Sequence, residues 1–345
     1  MCDSWENAKQ MLRWAAAFLL AILLTASVSA LAKEETVQST DSPRYLIPVG
    51  HTVGIKLFSK GVLVVKLTEG GTPARACGLQ TGDVIVRCGG TAVQSTEQFQ
   101  TLLQKCGQET TDLQVRRGGR QVTLAVSPEQ NAQGTYSIGA WIRDSMAGIG
   151  TVTYYDPATG AFGALGHGIT DTDTAQLMPF ARGSILPSAV KAVKRGRAGA
   201  AGELRGDFDL SGNLGDLCAN TSCGVFGTMK EDCVRWQEGK ALPTARNDEI
   251  KPGAATILAN VEGDTVREYE IEILKTIPNA ADGRDMVISV TDPELIAATG
   301  GIVQGMSGSP ILQDGKIVGA VTHVLLNDPC KGYGISIETM LNAAG

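Results

Sequence analysis

Apolar residues fall in short alternating or continuous runs along most of the chain, and one long run near the start stands apart. Trp14 to Ala32 is almost wholly apolar and rich in Ala and Leu. Its length is close to the ~20 residues that cross a bilayer. Ala30-Leu31-Ala32 fits a signal-peptidase site of the A-x-A kind. The pattern predicts a signal peptide or membrane anchor over 1–32, then a polar linker over 33–43 open to proteolysis. Either form exports everything after it. Past the linker the runs are strand-like. Val62-Leu63-Val64-Val65-Lys66-Leu67 reads as a buried strand. Pro73 to Cys77 predicts a short helix stopped by Gly78. Gly82-Asp83 turns the chain into the strand Val84-Ile85-Val86. Thr96 to Lys105 carries Phe99, Leu102 and Leu103 at helical spacing, with Thr96 as N-cap. Leu113–Val115 and Gln121–Val126 predict a hairpin around Gly118-Gly119.

After a polar stretch from Ser127 to Thr135, a second unit begins. Ile138–Asp144 leads to Gly148–Asp156, and the turn Pro157–Gly160 returns the chain as Ala161–Leu165. This hairpin ends at Gly166-His167-Gly168, which puts an imidazole at an exposed strand end. Further strands are expected at 254–261, 266–273, 285–290, 311–312 and 317–324, with a closing helix over 337–344.

Composition narrows the class. At 345 residues, 43% hydrophobic and 19% charged, the chain is an ordinary globular protein long enough for two domains. Glycine at 42 residues with 5% aromatics suggests many turns and short strands. A net charge of −6 carries no basic footprint for nucleic acid. The eight cysteines fit no zinc pattern, and no metal or cofactor is expected. Cys218 and Cys223 bracket a short loop without fixing a connectivity. Only His51, His167 and His323 are available to a His-dependent mechanism.

The chemistry gathers at Gly301-Ile302-Val303-Gln304-Gly305-Met306-Ser307-Gly308-Ser309-Pro310. A nucleophilic Ser needs its Oγ clear of the backbone and amides free to meet an oxyanion, and the flanking glycines allow both. Ser307 is the candidate nucleophile, with Gly305 and Ser307 as oxyanion donors. Ser309 precedes Pro310 and lacks Gly on both sides. His167 is the candidate base. Val321-Thr322-His323 lies on the strand expected to pair with substrate, which assigns His323 to the cleft. The acid stays open at this level: Asp171, Asp173, Asp207, Asp209, Asp216 and Asp292 all have plausible spacing.

The run Pro73-Ala74…Gly78-Leu79…Gly82-Asp83…Ile85 resembles PDZ domains attached to bacterial exported proteases. That resemblance implies a peptide or C-terminal segment bound at Val53-Gly54-Ile55-Lys56-Leu57. His167 at the end of an early hairpin, followed by Gly305-x-Ser307-Gly308 and another hairpin, resembles the chymotrypsin-like architecture. The expected fold is mainly β: the N-terminal segment, a PDZ domain over 44–127, then a double β-barrel protease domain over 136–345. Taken together, Gly163-Ala164-Leu165-Gly166-His167-Gly168 and the Ser307 loop resemble the stage IV sporulation protein B (SpoIVB) peptidase family.

That family resemblance implies a trio of His167, Asp292 and Ser307. It implies an exported endopeptidase in the space between forespore and mother-cell membranes, secreted or held by the N-terminal segment. The substrate would be a membrane-bound protein of the sigma-factor processing complex, with self-cleavage near the N-terminus. The alternative is a PDZ scaffold with a degenerate protease domain. Met306 stands where digestive relatives carry an Asp that receives a new N-terminus, so that latch is not expected here.

Overall fold

The computed structural model describes residues 43–345 except 232–235, 237–238, 278–279 and 281. The expected signal or anchor, the linker and the Ala32 site lie outside the described residues. Among the described residues no helix is long and apolar enough to cross a membrane.

The chain opens with β1 (Tyr45–Pro48) and the long β2 (Thr52–Leu67). Val53, Ile55 and Leu57 alternate toward a buried side, as a period of two requires. Beyond Gly61 the chain forms a compact β-rich unit: α1 (Pro73–Ala76), β3 (Val84–Cys88), β4 (Thr91–Ala92), α2 (Thr96–Cys106), β5 (Thr111–Arg117) and β6 (Arg120–Val126). Its core joins Val62, Val64, Ile85, Leu113 and Val115 to Phe99 and Leu103, the predicted apolar stripe of α2. The N-cap of α2 is Ser95 rather than Thr96, with its side chain accepting from the Gln98 amide at 3.1 Å.

Two short strands, β7 (Glu129–Gln130) and β8 (Tyr136–Ser137), lead to β9 (Ala140–Tyr155). Two runs were expected here; the structure has one continuous strand of 16 residues. Then come β10 (Ala161–Ala164), β11 (Phe180–Lys194), β12 (Glu203–Phe208), β13 (Gly215–Thr221), β14 (Gly224–Met229) and β15 (Leu242–Pro243). Pairings run β9–β10–β14–β13–β11–β2 and return to β9, closing a first ring around Val53, Ile55, Val152, Phe162, Ile185 and Val225.

This ring corrects the expected division of the chain. Of the residues assigned by sequence to the PDZ unit, 52–59 form the ring part of β2, and β1 (45–48) pairs with β9 and β15. The PDZ unit is threaded between the two long strands of that ring. β2 pairs with β9 and β11 up to Ser59, then pairs with β3 from Val62. β9 pairs with the PDZ part of β2 over Ala140–Arg143 and with the ring part from Ser145. The two units therefore share two strands instead of meeting through a linker.

The second ring is a closed barrel of β16 (Gly253–Glu262), β17 (Thr265–Thr276), β18 (Met286–Val290), β19 (Pro310–Gln313), β20 (Lys316–Leu325) and β21 (Asp328–Ser336). Between β18 and β19 lies α3 (Pro293–Thr299), and α4 (Ile337–Ala344) closes the chain. Ser336 caps α4, accepting from the Thr339 amide at 3.1 Å. α4 buries Met340 in a cluster with Phe226 of the first ring and Ala320 and Ile335 of the second.

Candidate active site

The Ser307 loop leaves α3 and enters β19 under restraint from both rings. Ile302 donates to the Pro329 carbonyl at 2.8 Å. Thr151, on β9, donates from Oγ1 to the Gly305 carbonyl at 2.7 Å and from its amide to the Ser307 carbonyl at 2.9 Å. Gly308 donates to Val321 at 2.7 Å, and its φ is +98°. A Cβ there would lie 2.0 Å from the Thr151 carbonyl oxygen, so only Gly fits. Met306 is fully buried in the second ring's core, which anchors the loop through packing. Among the described residues, neither the Gly305 amide nor the Ser307 amide donates a hydrogen bond within the chain. That leaves two backbone donors next to Ser307 in sequence, the kind of group an oxyanion hole uses. The Ser307 Oγ itself donates to the Thr322 carbonyl at 2.7 Å.

His167 follows β10 on the opposite wall. Its Nδ1 lies 2.9 Å from the Gly168 carbonyl. A carbonyl can only accept, so Nδ1 carries the proton and Nε2 keeps its lone pair. That is the tautomer a general base requires. Burial pushes the His167 pKa down, and the Gly168 carbonyl partly opposes the shift. The loop after His167 is built from side chains. Asn220 accepts from the Ile169 amide at 2.8 Å and donates to the Ile169 and Met178 carbonyls, each at 3.0 Å. Asp171 is fully buried and accepts from the amides of Asp173 and Thr174 and from Arg143 of β9. Burial favours its neutral form, but the Thr174 and Arg143 bonds prevail and hold its carboxyl below the usual range.

The His323 ring centroid is 5.1 Å from that of His167, tilted by 41°. Its pKa is pushed down to about 4, first by loss of water and then by the neighbouring His167. Ser307, His167, Thr322, His323 and Gly305 line one open cleft of about 980 Å³. Val321 does not join them; it is fully buried in the second ring's core.

The expected acid is elsewhere. Asp292 caps α3, its Oδ1 accepting from the Leu295 amide at 2.9 Å and its Oδ2 from the Glu270 amide at 3.3 Å. It does not line the cleft. The sequence held the signal: Asp before Pro293, with Glu294 in the first turn, is a helix start. Asp173 pairs with Arg143, Asp209 binds Ser211, and Asp216 binds Asn213 and Lys230. Asp207 lies on β12 opposite Ala189. Among the described residues no carboxylate bonds His167; the Gly168 carbonyl takes that position. Asp292→Ala is therefore expected to cost about 1 kcal/mol of stability, the worth of an N-cap. Fluorophosphonate labelling of Ser307 should stay within a few-fold of wild type. A thermal melt and a labelling time course check both, and a thousand-fold labelling loss with an unchanged melt would restore Asp292 to the site.

The expected PDZ peptide site also moves. Val53–Leu57 pairs with β11 on one side and β9 on the other, as in Ile55 with Ile185 and Gly148. With both edges paired, this stretch has no row of backbone groups left to offer a peptide. The open strand edge beside α2 belongs instead to the start of β9. Gln100 and Gln104 of α2 donate to the Tyr136 carbonyl just before it, both at 2.8 Å.

Residues 134–341, more than half of the chain, match the family model of the SpoIVB peptidase S55. The chain belongs to the SpoIVB peptidase S55 family. Residues 64–117 match the PDZ domain model, so this S55 member is a serine peptidase of sporulation with a PDZ domain. No curated protein matches the chain. Among solved structures, it is similar to the PDZ domain of the SdrC-like protein from Listeria monocytogenes. Identity there is 22% over 24% of this chain and 87% of that one, with a TM-score of 0.22. The inactive form of Rv3671c protease is 12% identical over 57% of this chain and 82% of that one, with a TM-score of 0.32.

Proposed function

We propose that this S55 peptidase cleaves the extracytoplasmic part of a membrane-bound regulator, with Ser307 as nucleophile and His167 as general base. The cleavage would trigger intramembrane processing of the late mother-cell sigma factor. The enzyme would act between the forespore and mother-cell membranes, exported by its N-terminal segment, and would cleave itself near that segment. The family membership supports the setting. The observation that carries the mechanism is one cleft holding Ser307, two free amides and an imidazole whose tautomer is set by the Gly168 carbonyl.

The chemistry runs in two halves. The Ser307 hydroxyl turns from the Thr322 carbonyl toward Nε2 of His167. Oγ attacks the substrate carbonyl carbon as its proton passes to Nε2. The amides of Gly305 and Ser307 hold the oxyanion. The imidazolium then gives its proton to the leaving amine, and the C–N bond breaks. Water repeats the sequence on the acyl-enzyme and restores Ser307. Incubating the purified chain with the regulator's extracytoplasmic domain tests this reading. Fragments from the wild type alone support it; fragments from a Ser307→Ala chain as well would sink it.

A pH profile adds a second check. His167 must be neutral to act, and burial sets its pKa below the usual 6.5. kcat/KM should rise with pH through a midpoint below 6.5 and be flat from there through neutral pH. The same shift gives a stability contribution that is complete above pH 6.5 and is lost as pH falls through the folded-state pKa. An acid limb centred at or above 6.5 would contradict the buried, neutral imidazole.

A further inference from the structure

Among the described residues, β9 carries an edge that no other strand covers. On one side it pairs with β2 from Ala140 to Thr151. β1 continues that same side at Tyr154 and Tyr155. On the other side pairing begins only at Val152, with β10. The stretch from Trp141 to Ile149 is thus a one-sided strand, with Trp141 65% exposed and Ala147 and Gly148 exposed. One end of this edge faces α2, where the Asp144 carboxylate accepts from the Thr96 amide at 2.8 Å. The other end, Met146 to Ile149, lines the cleft that holds His167 and Ser307. An unpaired edge is a template for an extended chain.

We propose that the leaving-group half of the substrate binds as an added strand along this edge, from the cleft to the groove beside α2. The PDZ unit and the catalytic site would then read one extended segment. The proposal rests on the peptidase reading of Ser307 and His167. The chemistry sets the direction. Ser307, the oxyanion amides and Thr322 sit on the second ring and hold the acyl half. His167, on the first ring, returns its proton to the leaving amine, so the leaving half lies over the first ring, where β9 forms the wall. Starting at the cleft and ending beside α2, the leaving half runs opposite to β9, as an antiparallel strand. The span from Ile149 to Ala140 takes about ten residues, or roughly 30 Å at the rise of a strand. A peptide in this position displaces Asp144 from the Thr96 amide. Its backbone N–H groups point to β9 at every second residue.

The test varies the substrate and leaves the enzyme intact. Peptides share one acyl half and carry leaving halves of about two, six and ten residues. kcat/KM is expected to rise at least about tenfold from the shortest to the longest. N-methylation of alternate amides in the long leaving half should remove that gain, while methylation of the intervening amides should leave it. Fluorophosphonate labelling of Ser307 needs no leaving half and reports the catalytic reading alone. Labelling with equal kcat/KM at all lengths, or a gain indifferent to N-methylation, overturns the β9 proposal and leaves the peptidase reading standing. Absent labelling overturns the reading itself.

Discussion

Ser307→Ala is expected to lower peptide cleavage by at least about 10³-fold and to abolish self-cleavage, with the fold retained. The neighbouring Ser309 cannot replace the nucleophile, because it is fully buried. Its hydroxyl makes one hydrogen bond, to the Thr322 carbonyl, so its removal costs at most about 1 kcal/mol of stability. His167→Ala should fall by a similar factor. The double variant should be scarcely worse than either single one, since the two residues act as a unit. Cleavage rates, far-UV circular dichroism and a thermal melt on the three variants decide the matter. A Ser307→Ala protein that still cleaves, or an additive double variant, would mean that the reaction does not run through this pair.

Gly308→Ala should have the second largest effect, although it leaves every catalytic side chain in place. The added methyl would sit 2.0 Å from the Thr151 carbonyl oxygen and 2.6 Å from the Leu165 nitrogen. Both neighbours are backbone, so neither can swing aside, and the φ of +98° is strained for any L side chain. The loop must shift by about 1 Å, which moves Oγ and both oxyanion amides together. Misplacement on that scale costs about 10² in rate. The strain should also lower stability by about 2–4 kcal/mol. Labelling kinetics and a denaturant titration separate the two losses. Wild-type labelling by Gly308→Ala would show that Thr151 does not clamp the loop.

Thr151 illustrates what pattern reading leaves out. It sits in the middle of β9, with nothing around it in sequence to set it apart. Its role follows from donating to Gly305, far along the chain. Arg143 and Asp171 are similar, since their ion pair ties the His167 loop to β9 only because β9 passes beneath that loop. Asp292 is the reverse case. Its local context, Asp-Pro-Glu, marks a helix start, yet family resemblance drew it toward catalysis. Val53–Leu57 was misplaced for a different reason. Alternating apolar residues predict a strand, but they are silent about whether one edge or both will be paired.

The sequence by itself determined the mainly β class, the PDZ unit, the Ser307 loop and the His167 turn. Each is written in contiguous residues whose backbone needs are local: glycines at tight turns, a proline at a helix start, apolar alternation along a strand. Only the tertiary structure decided that β2 and β9 run through both units, that the Gly168 carbonyl holds His167 in place of a carboxylate, and that β9 keeps a free edge between α2 and the cleft. Strand pairing is a long-range choice among many edges with similar patterns. It is settled by which faces can be buried together.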